Sequence, residues 1–323
     1  MLNLKLAAND ATSEALLHLQ EVNAHYREQP WPAPYNETHH ELRLGDARKL
    51  GWIKKESIDL VVTSPPYFTL KEYVHTEGQM GDIINYEAFL RELDKVWKQC
   101  YRVLKPGGRI CCVVGDVCIP RKQGGRHYVL PLHSDIQVRA RKIGFDVLTP
   151  ILWSKIANGV TEAEGNGAGF YGKPYQPGAI VKNDVEYILF LRKGTQYRSP
   201  EPMQKALSML TKDEMRTWLV SFWSDIRGAS TRDGHPAPFP VAVAERLIKL
   251  FSFAGDTILD PFVGTGSTIL AALETGRSSI GCDIEPRYLE FADARIRKSA
   301  SRARFAGATA IAYNRNIKPG RVR

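Results

Sequence analysis

The chain has 323 residues, 43% of them hydrophobic and 24% charged, which is ordinary for a folded protein large enough to bury a sizeable core. It contains no run of about 18 apolar residues, and Met1–Asn9 lacks the basic start and long apolar core of a secretory signal, so a cytoplasmic protein with no membrane span is expected. The net charge of +9 sits at one end: Arg295–Arg323 holds nine Lys or Arg and no acid, and the remainder balances at 35 against 35. Such a stretch suits a polyanion, nucleic acid being the commonest, and suits equally a solvated tail. The five cysteines include no CxxC pair, which argues against a disulfide framework and against a zinc site, and favours a reducing compartment.

Ala11–Tyr26 reads as a helix with Leu16, Leu17, Leu19, Val22 and Tyr26 on a rough apolar face. The prolines of Gln29–Pro34 break it. His39 and His40 follow, and adjacent histidines without further ligand-type neighbours are expected as surface residues rather than a metal site. Glu41–Gly45 is the first strand of the body, ending at Asp46, and Ser57–Thr63 is the second, with the apolar run Leu60–Val62 at its centre. Buried strands alternating with helices predict an α/β fold, a doubly wound and mostly parallel sheet. Glu72–Met80 is polar and carries a glycine, as a mobile loop would.

Asn85 caps a long helix that runs to Leu104, with Phe89, Leu93, Val96, Trp97 and Cys100 as its stripe. Arg109–Gly115 is the next strand, Leu132–Ile143 a helix, and Phe145–Trp153 and Asp184–Leu191 two further strands. Between those two lies the glycine-rich loop 158–183, where Phe170, Tyr171, Lys173, Tyr175 and Lys182 could stack on bases and touch phosphates. Residues 192–232 carry eight basic and four acidic side chains with Trp218 and Trp223, break the βα alternation, and read as an inserted recognition region. An amphipathic helix from Val241 to Phe251, the strand Thr257–Asp260, a glycine loop, the helix Thr268–Thr275 and the strand Ser279–Asp283 complete the body.

Two loops carry the chemistry. Gly264-Thr265-Gly266 lies between a strand and a helix, where free N–H groups meet an anion or a carboxylate. A P-loop is excluded because no lysine occurs between Gly255 and Ala272, and a dinucleotide fingerprint is excluded because Ile269 stands where its third glycine belongs. The ligand is then nucleotide-like without a pyrophosphate. Asp283 ends the following strand, where an acid accepts from ribose hydroxyls, with Glu285 as the second candidate. The other loop is Ser64-Pro65-Pro66-Tyr67. Pro66 has no N–H to place in a ladder, the Pro65 carbonyl and Ser64 hydroxyl offer two acceptors, and Tyr67 offers a flat face worth about 1–3 kcal/mol to a stacked base. Two acceptors side by side match the two N–H donors of an exocyclic amino group.

Together these residues resemble the amino-group DNA methyltransferases that use S-adenosyl-L-methionine and modify cytosine N4 or adenine N6. Thr63–Tyr67 is similar to their catalytic loop, Asp260-Pro261-Phe262-Val263-Gly264-Thr265-Gly266-Ser267-Thr268 to their cofactor loop, Ile280–Asp283 to the strand ending at the ribose-binding acid, and His235–Pro240 to the segment before the cofactor half. Target loop first and cofactor loop last is the circularly permuted order of the beta class, and it aligns Asp46 with a position near the cofactor adenine. The resemblance spans about Glu41–Lys298, leaving 1–40 as an N-terminal extension and 299–323 as a basic tail. It implies Ser64, Pro65, Pro66 and Tyr67 as catalytic, and Asp46, Asp260, Phe262, Gly264, Gly266, Thr268 and Asp283 as cofactor-binding. It further implies a base flipped out of double-stranded DNA, a monomer or homodimer, and a cognate restriction endonuclease as a genetic partner. Serine at the head of the motif favours cytosine N4, with adenine N6 as the alternative and a catalytically inactive DNA-binding relative as the second. Cytosine C5 chemistry needs a cysteine beside the base, and none lies near Tyr67.

Overall fold

A computed structural model describes residues 13–68, 76–155, 183–228, 239–300 and 309–314. In chain order the elements are α1 (Ser13–Glu28), β1 (Thr38–Leu44), β2 (Ile58–Thr63), α2 (Tyr86–Val103), β3 (Leu104–Val114), β4 (Val117–Ile119), α3 (Arg121–Gly124) and β5 (Tyr128–Leu130). There follow α4 (Leu132–Ile143), β6 (Phe145–Ser154), β7 (Val185–Lys193), α5 (Pro202–Leu207), α6 (Lys212–Trp218), β8 (Phe222–Trp223), α7 (Val241–Phe251), β9 (Thr257–Asp260), α8 (Ser267–Glu274), β10 (Ser278–Asp283), α9 (Pro286–Ala300) and β11 (Thr309–Asn314).

Nine strands form one sheet in the order β11-β1-β10-β9-β2-β3-β7-β6-β8, parallel at every pairing except the two that β7 makes. The doubly wound α/β expectation therefore holds. Every residue of β2 is buried, as a central strand covered by helices on both faces requires. Strand alternation then sorts the core: Val61, Ile110 and Cys112 face α2 and α4, while Leu60, Val62 and Cys111 face α7 and α8. Cys111 and Cys112 thus point to opposite sides of the sheet, and burial pushes both thiols well above their ordinary range.

The helices begin and stop for local reasons. The Asn85 side chain accepts from the Ala88 N–H at 2.8 Å, capping α2, whose buried stripe includes Phe89, Leu93, Val96, Trp97 and Cys100. Gly144 ends α4 at φ +117°, a conformation that favours glycine.

Some expectations change. His39 is exposed but His40 is buried, because alternation along β1 turns it inward against β10, where Nδ1 lies 2.7 Å from Ser279 Oγ. Burial depresses its pKa to about 4. Residues 309–314 are not simply tail: they pair in parallel with β1 and form the sheet edge. Residues 192–228 fold onto the body. Trp223 is buried, Trp153 Nε1 donates to the Ile226 carbonyl at 2.8 Å, and the Arg246 guanidinium lies 4.6 Å from the Trp223 ring centre. The extension joins it, with Leu19 and Val22 of α1 packed on Ala206 of α5. Loop 158–183, apart from Asn183, lies outside the described residues. So do Glu72–His75, His235–Pro238 and most of the C-terminal basic stretch. No helix among the described residues is long and apolar enough to cross a membrane.

Candidate active site

β2 and β9 are hydrogen-bonded neighbours, pairing Leu60 with Ile258 and Val61 with Leu259. The two loops that lie some two hundred residues apart in sequence therefore leave the sheet side by side. A buried carboxylate joins them: Asp260 accepts from Thr63 Oγ1 and from Thr268 Oγ1, each at 2.6 Å, and from the Phe262 N–H at 3.0 Å. Burial outweighs those three donors and lifts the Asp260 pKa to about 6. Asp260 thus ties the exit of β2, its own loop and the first turn of α8 into one unit.

Past this brace opens a cleft. Ser64, Pro65, Pro66 and Tyr67 form one wall, and Phe262, Val263, Gly264, Thr265 and Ser267 the other. Gly45, Asp46, Ala47, Asp283 and Ile284 also line the cleft, as do Gly78, Gln79 and Met80.

The glycine loop bends where only glycine bends without strain. Gly264 has φ +47° and Gly266 φ +83°. The Gly264 N–H donates to Asp283 Oδ2 at 2.9 Å, and the Glu285 N–H to Oδ1 at 3.0 Å. A carboxylate has more acceptor positions than these two donors occupy. Burial, working against those backbone donors, raises the Asp283 pKa to about 6. Gly281 gives the loop room: a Cβ there would stand 2.7 Å from Val263 Cγ2.

Of the residues expected to serve the cofactor, Asp46, Phe262, Gly264 and Asp283 face the cleft, whereas Asp260, Gly266 and Thr268 stand behind its wall. The reason is geometric: both hydroxyl-bonded oxygens of Asp260 point into the protein, and Gly266 packs against Ala292 of α9. Glu285 is also buried and turned away, accepting from Thr76 Oγ1 at 2.5 Å and from the Arg287 N–H at 3.1 Å.

Sequence reading misses the supports of each wall. Tyr67 donates its O–H to Glu186 Oε1 at 2.8 Å, and Lys155 Nζ lies 2.5 Å from that same oxygen. Arg48 reaches from Asp46 (2.8 Å) to Glu92 (2.8 Å) and to the Gly78 carbonyl (3.0 Å), fastening the lining segment that carries Gly78 beside Asp46. An arginine two residues after Gly45-Asp46 is the only local trace of this. Glu186 and Lys155 leave none, because strand pairing alone brings them to Tyr67.

Among the described residues the lining includes Asp46 and Asp283 and no Lys or Arg. Two carboxylates in a lining disfavour phosphates and favour a ligand that carries positive charge. Asp283 offers acceptor oxygens to the cleft, Phe262 and Ile284 offer apolar surface, and Ser267 brings the first turn of α8, with its free N–H groups, to the lining. No group of three or more His, Cys, Asp or Glu among the described residues could hold a metal ion.

Residues 58–294 match the N6/N4 methyltransferase family model, described as DNA methylase. The Type II methyltransferase M.MjaI of Methanocaldococcus jannaschii is 37% identical over 275 residues, covering 77% of this chain and 88% of the relative. M.MthZI of Methanothermobacter thermautotrophicus, also a Type II methyltransferase, is 31% identical over 283 residues, covering 81% and 78%. TTHA0409 of Thermus thermophilus, solved in complex with S-adenosyl-L-methionine, is 42% identical with a TM-score of 0.70, over 86% of this chain and 99% of that one.

Proposed function

This chain belongs to the N6/N4 DNA methylase family and is an S-adenosyl-L-methionine-dependent DNA methyltransferase; from that membership we propose that it methylates the exocyclic N4 of cytosine at a specific site in duplex DNA. The observation that carries this reading is the cleft itself, in which Ser64-Pro65-Pro66-Tyr67 faces Gly264 and Asp283. One side offers acceptors and an aromatic face to a base, the other a seat for a nucleoside. When bound, the cofactor supplies a methyl group activated by a sulfonium.

In this proposal the flipped base stacks on Tyr67. The Ser64 hydroxyl and the Pro65 carbonyl accept the two amino protons, which turns the nitrogen lone pair toward the opposite wall. Holding the two reacting groups in line is the main contribution to rate, since a well-oriented pair gains up to ~7–11 kcal/mol over free encounter. Ser64 is too weak a base to remove a proton and serves to orient the amine and to stabilise its developing charge. Asp46, Phe262, Gly264 and Asp283 hold the cofactor. Asp260, Gly266 and Thr268 act on it indirectly, by fixing the loop. A restriction endonuclease reading the same site is the proposed genetic partner, in keeping with the Type II relatives.

Cytosine is preferred because serine opens the motif. The test is to methylate unmodified duplex DNA, digest it and identify the modified nucleoside by mass spectrometry. N4-methylcytosine is the expected product. N6-methyladenine alone would overturn the choice of base, and no modified nucleoside at all would overturn the catalytic reading.

A further inference from the structure

We propose that the β4–β5 hairpin, through Arg121, Lys122 and Arg126, is a phosphate clamp that grips the DNA backbone beside the target base. The proposal rests on the reading of duplex DNA as substrate and adds to it a contact surface outside the cleft.

The first observation is position. β4 begins three residues after Val114, where β3 leaves the sheet at the same edge as the target loop. The intervening Gly115 lies against the Tyr67 ring: a Cβ there would be 3.5 Å from Tyr67 Cε1. The root is clamped. Asp116 Oδ1 accepts from the His133 N–H at 3.1 Å and lies 2.7 Å from His133 Nδ1, while the His133 ring stacks on Tyr187 at 3.7 Å, next in sequence to Glu186. The hairpin therefore rises from the residues that surround Tyr67.

The second observation is charge. Between Asp116 and Asp135 the chain has no acid, yet it carries Arg121, Lys122, Arg126 and two histidines. Arg121, Lys122 and Arg126 are exposed, and none of the three pairs with a carboxylate among the described residues. Some surface cations elsewhere are paired, Arg139 with Glu87 and Asp94, Arg192 with Asp146 and Arg297 with Asp293. Lys54, Lys98 and Lys142, unpaired among the described residues, lie on separate segments, whereas the hairpin gathers three cations at one tip. Unpaired like charges held close together raise the energy of the free protein and favour an anion between them.

The third observation is that the tip is built. α3 fills it, Gly125 closes the turn at φ +70°, and a Cβ at Gly124 would lie 2.6 Å from Tyr128 Cε1 and 2.9 Å from Ile119 Cγ2. The tip is packed on its own strands, so the backbone that carries its cations is fixed. The exposed Tyr128 and Val129 behind them add apolar surface that would meet sugar rings.

The test is the salt dependence of binding to a short unmodified duplex, read by fluorescence anisotropy on the full chain. Each phosphate contact contributes about 0.9 to the slope of log K against log salt. Arg121→Ala/Lys122→Ala/Arg126→Ala is expected to make the slope shallower by about 2–3 and to weaken binding at least about tenfold at low salt. Its affinity for S-adenosyl-L-methionine, read by calorimetry, should equal the wild type, which shows that the chain is folded. A control, Lys54→Ala/Lys98→Ala/Lys142→Ala, removes the same charge from exposed sites near the opposite ends of the strands and should keep the wild-type slope. An unchanged slope in the hairpin variant, or an equal change in the control, would overturn the clamp. Binding is read without turnover, so N6-methyladenine as the product would sink the cytosine reading and leave the clamp standing. Conversely, N4-methylcytosine with an unchanged slope would sink only the clamp.

Discussion

The phenolic O–H of Tyr67 donates to Glu186 Oε1 at 2.8 Å, on a side chain that is itself 5% exposed. Lys155 Nζ shares that oxygen, 2.5 Å away, and balances the buried charge. The ring lines the cleft with one face while its far end is pinned by a hydrogen bond to an ionic partner, a stronger tether than a neutral one. Glu186 is a positioning residue in this arrangement.

Glu186→Ala leaves a phenol and an ammonium without their buried partner, a loss of ~1–3 kcal/mol. Methyl transfer under single turnover is expected to fall about tenfold to a hundredfold, while affinity for S-adenosyl-L-methionine is unchanged. Glu186→Gln restores an acceptor for Tyr67 and should recover part of the rate. A parallel loss of cofactor affinity in both variants would show that Glu186 supports the other wall instead.

The contrast between Tyr67 and Glu186 shows what sequence can and cannot reveal. Tyr67 is legible because its prolines and the apolar strand before it are contiguous. Glu186 is separated from it by 119 residues and sits in a strand whose alternation could place it on either side. The central strands were legible for the same reason as Tyr67, since Leu60–Val62 of β2 and Ile258–Leu259 of β9 are contiguous apolar residues that run straight into the loop motifs. β11 was hidden inside a basic stretch, where pairing with β1 overrides composition. Asp260 shows the converse: its place before the glycine loop suggests a ligand, yet three internal donors claim it.

Asp260→Ala should therefore damage stability before it damages chemistry. It strips an acceptor from the buried Thr63 and Thr268 hydroxyls and from the part-buried Phe262 N–H, at up to ~1–3 kcal/mol apiece before relaxation, with the Val62 carbonyl, 3.3 Å away, left to Thr268. A thermal midpoint lower by several degrees and weakened cofactor binding are expected together. Asp260→Asn keeps a carbonyl acceptor and removes a buried charge, so it should retain the fold and bind cofactor within a few-fold of wild type. If the Asn variant is stable but cannot bind cofactor, the carboxylate touches the ligand after all.

Asp283 gives the cofactor site a pH dependence. Its pKa is raised from 3.8 to about 6, so it is ionised at neutral pH and largely protonated at pH 5. An ionised carboxylate is the better acceptor for ribose hydroxyls and the better neighbour for a cationic ligand. Affinity for S-adenosyl-L-methionine, measured by calorimetry, should hold above about pH 7 and fall by up to about tenfold per unit below pH 6. The contribution to stability runs the other way. Between pH 4 and 6 the folded chain holds protons on Asp283 and Asp260 that the unfolded chain has lost, so these two groups favour the fold at the acid end and lose that effect as pH rises through about 6. Asp283→Asn should flatten the affinity profile; a profile that keeps its shape in that variant would assign the titration to another group.

Ser64 makes the sharpest division between the two walls. It faces the cleft, and its hydroxyl has no partner among the described residues, so removing it disturbs nothing in the free protein. Ser64→Ala deletes one of two acceptors for the amino protons and leaves the Pro65 carbonyl in place. An interaction of this kind, needed as charge develops on the nitrogen, is worth ~2–3 kcal/mol, which corresponds to a fall of about thirtyfold to a hundredfold in kcat. Cofactor affinity should be unchanged, because no expected cofactor contact is touched. Ser64→Asn returns a carbonyl oxygen to the same position and should regain part of the lost rate, whereas a purely steric role for serine would make the larger side chain worse than alanine. The same two variants, assayed by the nucleoside they produce, also test whether this position helps to select the base. Asn should shift any residual preference toward adenine if it does, and an unaltered product ratio would place that choice elsewhere in the cleft.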